Sequence, residues 1–423
     1  MSIVYPTIKK LKEKLEDSYF FRLVPVKVKE RRTIKFWIYL FKYSKLSKSG
    51  GQKMVNEPLE LNDAVTLKNR LVMSPSTTWA SNDDHTVADQ EIAFHGERSK
   101  AVAMYITGCA HVLENGIGFD HEFGAYDDRF VPGLTKLAQT IKGNGAVAIL
   151  QLNHAGNKAL PDLIEGGEVV SASAVKTDDS DFAAGLIPRE LMSTEIDQVI
   201  DSFAQATRRA IEAGFDGIEL HGAHGFLIQN FLSPHFNQRT DEWGGSLANR
   251  KRFALVVYQA TRQMADQLGK PNFVIGMRLT PQESHYEDGL RYADVKSLAD
   301  DLVNAGITYL HLSLGSAISD RALDADQTIV SEMAAVINHR VPLVAAGQLS
   351  TAQQIEQLFQ EGADLAAVSH ALVVDPNWAQ EVLDGQHESD TDLSIDEAQA
   401  KAVKVPDRLW TVIEHSGPWF NLK

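Results

Sequence analysis

Eight short apolar runs, alternating with helical stretches, limit what this chain can fold into more than any other feature. They are Leu71–Thr77, Ala101–Ala110, Ala146–Gly156, Gly217–His221, Phe273–Leu279, Ile307–Gly315, Val341–Gly347 and Ala363–Ser369. Most are nearly continuous in apolar residues, the pattern of strands buried on both faces of a parallel sheet. Between them, Ile196, Val199, Ile200, Phe203, Ala204, Ala210 and Ile211 form an apolar stripe that predicts a helix stopping at Gly214. Ser350 with Gln353 predicts a capping box before Ile355, Leu358 and Phe359, with a stop at Gly362. Eight such β/α units predict an α/β fold, a (β/α)8 TIM barrel. A doubly wound sheet is the rival, weakened because no GxGxxG follows an early strand. Two connections are long, 157–192 after the third strand and 225–249 after the fourth. Rim loops of that length form lids or substrate walls.

Composition narrows the function classes. The chain has 423 residues, 44% hydrophobic and 23% charged, as expected for a soluble globular protein. Its net charge of −15 divides unevenly, with +10 on residues 1–53 and −25 on the remainder. An acidic body argues against a nucleic-acid partner. Residues 1–53 read as a basic, poorly ordered extension ahead of a barrel domain at 54–423. Its apolar run Phe36–Phe41 is far shorter than the ~20 residues of a membrane span. An amphipathic surface anchor is the alternative reading of that segment. The single cysteine, Cys109, allows no intramolecular disulfide and no iron–sulfur cluster, and it fits a cytoplasmic protein.

Chemistry gathers at the strand ends. His221 and His224 close the fourth strand. Residues three apart on a strand face opposite sides, so the rings converge only if the backbone leaves the strand near Gly222. Neutral imidazoles there can donate N–H to a substrate oxygen. A bare pair at this spacing is more often structural, and no H-E-x-x-H or cysteine set marks a metal site. Arg278 lies inside the apolar run FVIGMRLTP, and a buried guanidinium needs an anionic partner, either a carboxylate or a ligand. The turn Gly347–Ser350 after the seventh strand, with Ser313 and Gly315 after the sixth, suits the recurrent phosphate site of barrels.

The stretch from Gly214 to Arg250, GFDGIELHGAHGFLIQNFLSPHFNQRTDEWGGSLANR, resembles the signature of the old yellow enzyme family of FMN-dependent ene-reductases. NRLVMSPSTTWA, Asn69–Ala80, resembles that family's first strand. The resemblance covers most of 54–378. It implies bound FMN, NADH or NADPH as reductant, and hydride transfer to an activated alkene of a small electrophilic substrate. His221 and His224 would grip the substrate oxygen. Ser74, Pro75, Thr77, Gly108 and Gln151 would approach the flavin, and Arg278 would face its N1 and O2. Ser313, Gly315, Gly347, Gln348, Ser369 and His370 would serve the phosphate end, with Trp79 and Phe226 in the substrate pocket. Two positions depart from the family. His370 stands where an Arg commonly meets the phosphate, and Phe226 where a Tyr commonly gives the proton. They keep two alternatives open: a flavin reductase for quinone, nitro or aldehyde acceptors, and a cofactor-poor barrel. An aldolase-like barrel would need a Lys at a strand end, and none of the eight has one. A homo-oligomer remains open.

Overall fold

The computed structural model describes residues 53–423, except 178, 181–182, 324, 388–391 and 416–419. The basic extension lies outside these, apart from Lys53, whose Nζ pairs with Asp364 at 2.8 Å. Residues 53–423 form one compact unit. Its eight principal strands are β1 Leu71–Met73, β2 Met104–His111, β3 Val147–Asn153, β4 Gly217–Gly222, β5 Val274–Leu279, β6 Tyr309–Ser313, β7 Leu343–Ala346 and β8 Leu365–Val368. Each pairs in parallel with its neighbour, and β1 pairs with both β8 and β2, so the sheet closes into the expected (β/α)8 barrel. The helices that follow are α1 Asp89–Arg98, α2 Val131–Gly143, α3 Ser193–Glu212, α4 Leu227–Leu232, α5 Leu247–Gln267, α6 Tyr292–Asn304, α7 Ile329–Ile337, α8 Ala352–Gln360 and α9 His370–Val374. Among the described residues, no helix is long and apolar enough to cross a membrane.

Strand alternation sorts the apolar runs into two cores. Ile218 and Leu220 of β4, Ile275 and Met277 of β5, and Leu310 and Leu312 of β6 join the core shared with the helices. Their alternates turn inward, where Val274, Tyr309, Ile149 and Val344 fill the barrel together with Leu61 and Leu67 from an N-terminal hairpin. Further along the same inward rows the residues become polar: Gln151 on β3, Glu219 and His221 on β4, Arg278 on β5, His311 and Ser313 on β6. Apolar packing closes one end of the barrel and leaves chemistry at the C-terminal end of the strands.

Two local expectations shift. The capping box sits one residue later, with Thr351 Oγ1 accepting from the Gln354 N–H at 3.2 Å and α8 starting at Ala352. Ser350 and Thr351 are both good caps, and the sequence does not say which enters the extended conformation. Gly222 stays in the strand; the turn comes at His224 and Gly225, with φ +58° and +75°.

Gly276 on β5 has a packing reason. A Cβ there would lie 2.1 Å from the Tyr309 ring, which is tied by its hydroxyl to Glu219 at 3.0 Å. Gly276→Ala should therefore destabilise the barrel by about 1–3 kcal/mol through overpacking. Chemical unfolding measures this, and a variant as stable as the parent would show that Tyr309 swings aside without loss.

Candidate active site

All the candidate residues except Gly108 line one cavity of about 700 Å³ at the C-terminal ends of the strands. Gly108 stands behind the wall. A Cβ there would lie 2.7 Å from the Ser76 carbonyl oxygen, so the glycine lets the 74–77 loop lie against β2. Its neighbour Cys109 faces the cavity instead and donates its thiol to Gln151 Oε1 at 3.2 Å. Burial pushes that thiol well above its ordinary pKa, so it is neutral and no nucleophile.

The two imidazoles converge, with ring centroids 5.0 Å apart. The Ala223 N–H donates to His221 Nδ1 at 3.2 Å, which leaves the proton of the neutral ring on Nε2. Ser313 Oγ accepts from Arg278 Nη2 at 3.0 Å and lies 2.7 Å from His224 Nε2; with one proton and two lone pairs, the hydroxyl serves either tautomer of that ring. His221 keeps one N–H to offer, and His224 presents its Nδ1 edge. Both pKa values lie well below the ordinary histidine range. For His221 burial comes first, then the neighbouring His224 and Arg278. For His224, which opens onto the cavity, the causes are its enclosure in the site and the charges of Arg278 and Lys158. Lys158 also lines the cavity and donates to the His224 carbonyl at 2.9 Å.

The cavity fits an FMN. Among the described residues the buried Nε of Arg278 has no acceptor, as expected of a donor held for a ligand. At the other end, the Ser76 and Ser369 hydroxyls meet at 2.6 Å beside His370. The Gly347 turn passes so close to the β6 loop that a Cβ would lie 2.7 Å from the Ala317 nitrogen. Gln348 holds φ +50°, a strained conformation typical of ligand-binding turns. That end offers hydroxyls and backbone groups for one phosphate. Among the described residues, no group of three or more His, Cys, Asp or Glu could hold a metal ion.

One side of the cavity is aromatic. Phe226 is buried, its ring 4.7 Å from His221 and 5.9 Å from Phe119, which in turn meets Trp79 at 5.6 Å. Phe119 and Lys158 were missed in the sequence because they come from loops with no pattern. Leu393, Phe420 and Asn421, which also line the cavity, come from the C-terminal segment. Glu219, fully buried beneath the site, had a visible signal: an acid two residues before His221 on the same strand face.

Because both imidazoles are held below their ordinary pKa, they should stay neutral as the pH falls from 8 to 6. Ring ¹⁵N shifts of labelled histidines check this. A protonation step near 6.5 in either ring would contradict the arrangement.

Comparison with known proteins agrees with the geometry. The NADH:flavin oxidoreductase / NADH oxidase family matches residues 55–389. A probable NADH-dependent flavin oxidoreductase, YqiG, of Bacillus subtilis (strain 168) is 36% identical over 373 residues, covering 88% of this chain and 98% of that protein. An NADH:fumarate oxidoreductase of Klebsiella pneumoniae (strain 342) is 36% identical over 359 residues, 84% of this chain but only 38% of that longer protein. Among solved structures, the old yellow enzyme homologue from Zymomonas mobilis superposes with a TM-score of 0.70 at 22% identity, covering 79% of this chain and 94% of that one. Morphinone reductase in complex with tetrahydroNAD gives 0.68 at 25% identity, covering 84% and 96%. With its barrel, flavin-shaped cavity and full-length relative, this chain belongs to the NADH:flavin oxidoreductase / NADH oxidase family and is an NAD(P)H-dependent flavin oxidoreductase.

Proposed function

We propose that the enzyme uses NAD(P)H to reduce an activated alkene, of the enone type, whose oxygen is held by His221 and His224. The observation that carries this reading is the convergence of two neutral imidazoles, His221 with an Nε2–H to donate, on the cavity at the strand ends beside Arg278. FMN, when bound, supplies the hydride chemistry. His221 and His224 hold the substrate oxygen and stabilise the negative charge that grows there as the alkene is reduced. Arg278 provides the fixed positive charge beside them, with Ser313 linking its guanidinium to His224. Trp79, Phe119 and Phe226 form a wall that excludes water from one side of the substrate. The cofactor-poor alternative falls with the family assignment.

Removing one oxyanion donor commonly lowers turnover by about 10²–10³-fold. His221→Ala and His224→Ala should each show a loss of that order with cyclohexenone, while FMN affinity is kept. Equal turnover in parent and variants would sink the assignment.

A second reading is favoured by Phe226. A reduced alkene needs a proton on carbon, and Phe226 has none to give. Quinone and nitro acceptors take up protons on oxygen or nitrogen, which exchange readily with water, so a positioned carbon acid matters less for them. General-acid help is worth roughly 10²–10⁴-fold where a donor is placed well. Phe226→Tyr should therefore raise enone turnover and leave quinone turnover near the parent value. Unchanged enone turnover in the Tyr variant, with fast enone reduction by the parent, would mean that another donor is already in place.

A further inference from the structure

The last residues of the chain return to the cavity. Asn421–Leu422 pairs in parallel with Ser394–Ile395, and the Lys423 N–H donates to the Ile395 carbonyl at 3.1 Å. Lys423 Nζ adds a bond to Gln399 Oε1 at 3.0 Å. Phe420, immediately before this strand, is only 6% exposed. Its ring stands edge-on to His370, with centroids 4.6 Å apart at 79°. Leu393, Phe420 and Asn421 line the same cavity as Ser369 and His370.

A two-residue strand pair has little stability of its own, yet it carries a large aromatic ring into the cofactor end of the site. There Ala367, Val368, Leu393 and Phe420 all line the one cavity. Such a surface suits the apolar edge of a flavin ring. Asn421 adds an amide that can both donate and accept.

We propose that this C-terminal strand is part of the FMN site, with Phe420 and Asn421 covering the cofactor beside His370. The cover matters because the neighbouring imidazole is a poor substitute for a permanent cation. Burial lowers the His370 pKa, so near neutral pH the imidazole carries less positive charge than a guanidinium would. Apolar cover then supplies part of the retention that a guanidinium would supply by charge. The proposal rests on FMN occupying the cavity and is independent of which acceptor is reduced.

The test is titration of the full-length apoprotein with FMN, followed by quenching of flavin fluorescence, with release measured by stopped flow. Loss of a covering aromatic ring should raise the dissociation constant of Phe420→Ala by about tenfold. Phe420→Tyr should bind like the parent; because Phe420 is buried, the alanine variant is titrated well below its own lowered melting temperature. Asn421→Ala leaves the ring in place and should release FMN about threefold faster; it also stands in if Phe420→Ala fails to fold. Dissociation constants within about twofold of the parent in both alanine variants would overturn the proposal. A parent that takes up no FMN would overturn the cofactor site as a whole. Loss of enone turnover at unchanged FMN affinity would concern the substrate reading alone and leave this proposal supported only by the titration.

Discussion

Glu219 is a fully buried carboxylate in the middle of the barrel, and the site above it is organised around that charge. It accepts from Gln151 Nε2 at 2.8 Å and from the Tyr309 hydroxyl at 3.0 Å, and His311 Nδ1 lies 2.9 Å away. Burial alone would raise its pKa, but His311, Arg278 and the Gln151 bond together hold it below the usual range, so it stays ionised. A charge buried without such partners costs several kcal/mol. The network therefore fixes β3, β4 and β6 relative to one another as firmly as any apolar contact. It also sets the Gln151 amide: with the nitrogen committed to Glu219, the oxygen faces Cys109.

The same carboxylate accounts for Arg278. Burial lowers the guanidinium's pKa, and Glu219 acts against that; an Arg remains charged across the whole range in which an enzyme works. One positive centre is thus held at the cavity floor, and burial first, with that charge beside it, keeps the adjacent imidazoles neutral. Charge balance leaves the site with a permanent cation and two neutral imidazoles. This combination stabilises developing negative charge without presenting an acidic proton to the substrate oxygen.

Much of this was legible in the sequence, because it lies on strands. Runs buried on both faces announce eight strands, and period-two alternation puts Gln151, His221 and Arg278 on the inner face once the barrel is assumed. What was not legible depends on long-range approach. Gly108 was read as approaching the cofactor; its close packing against the Ser76 loop is a contact with no local signature. The α8 cap moved by one residue because Ser350 and Thr351 offer the same chemistry; Gln354 Oε1 in fact accepts from both backbone N–H groups. Phe119, Lys158 and Phe420 reach the cavity from loops and from the chain's end, where neither periodicity nor spacing carries information.

The substrate wall shows how the two kinds of recognition divide the site. Trp79 holds φ +49°, a conformation that a bulky residue adopts only when its surroundings impose it. Its ring meets Phe119 edge-on, and the row continues through Phe226 to His221, each ring meeting the next at 67–86°. Phe226 also belongs to an apolar cluster with Ile117, Ala155, Ala159, Ile164 and Val169, which seats the start of the 157–192 loop. The wall is therefore backed by packed side chains, and a substrate meets a preformed surface. On that side it can be selected only by shape. On the other it meets two imidazoles, His221 tied by a backbone amide and His224 by a serine hydroxyl. Under the proposed reading, a small molecule with one acceptor oxygen and an apolar body satisfies both sides. A larger polar one would leave groups unpaired against the rings, and that mismatch sets specificity more sharply than the strength of the two hydrogen bonds.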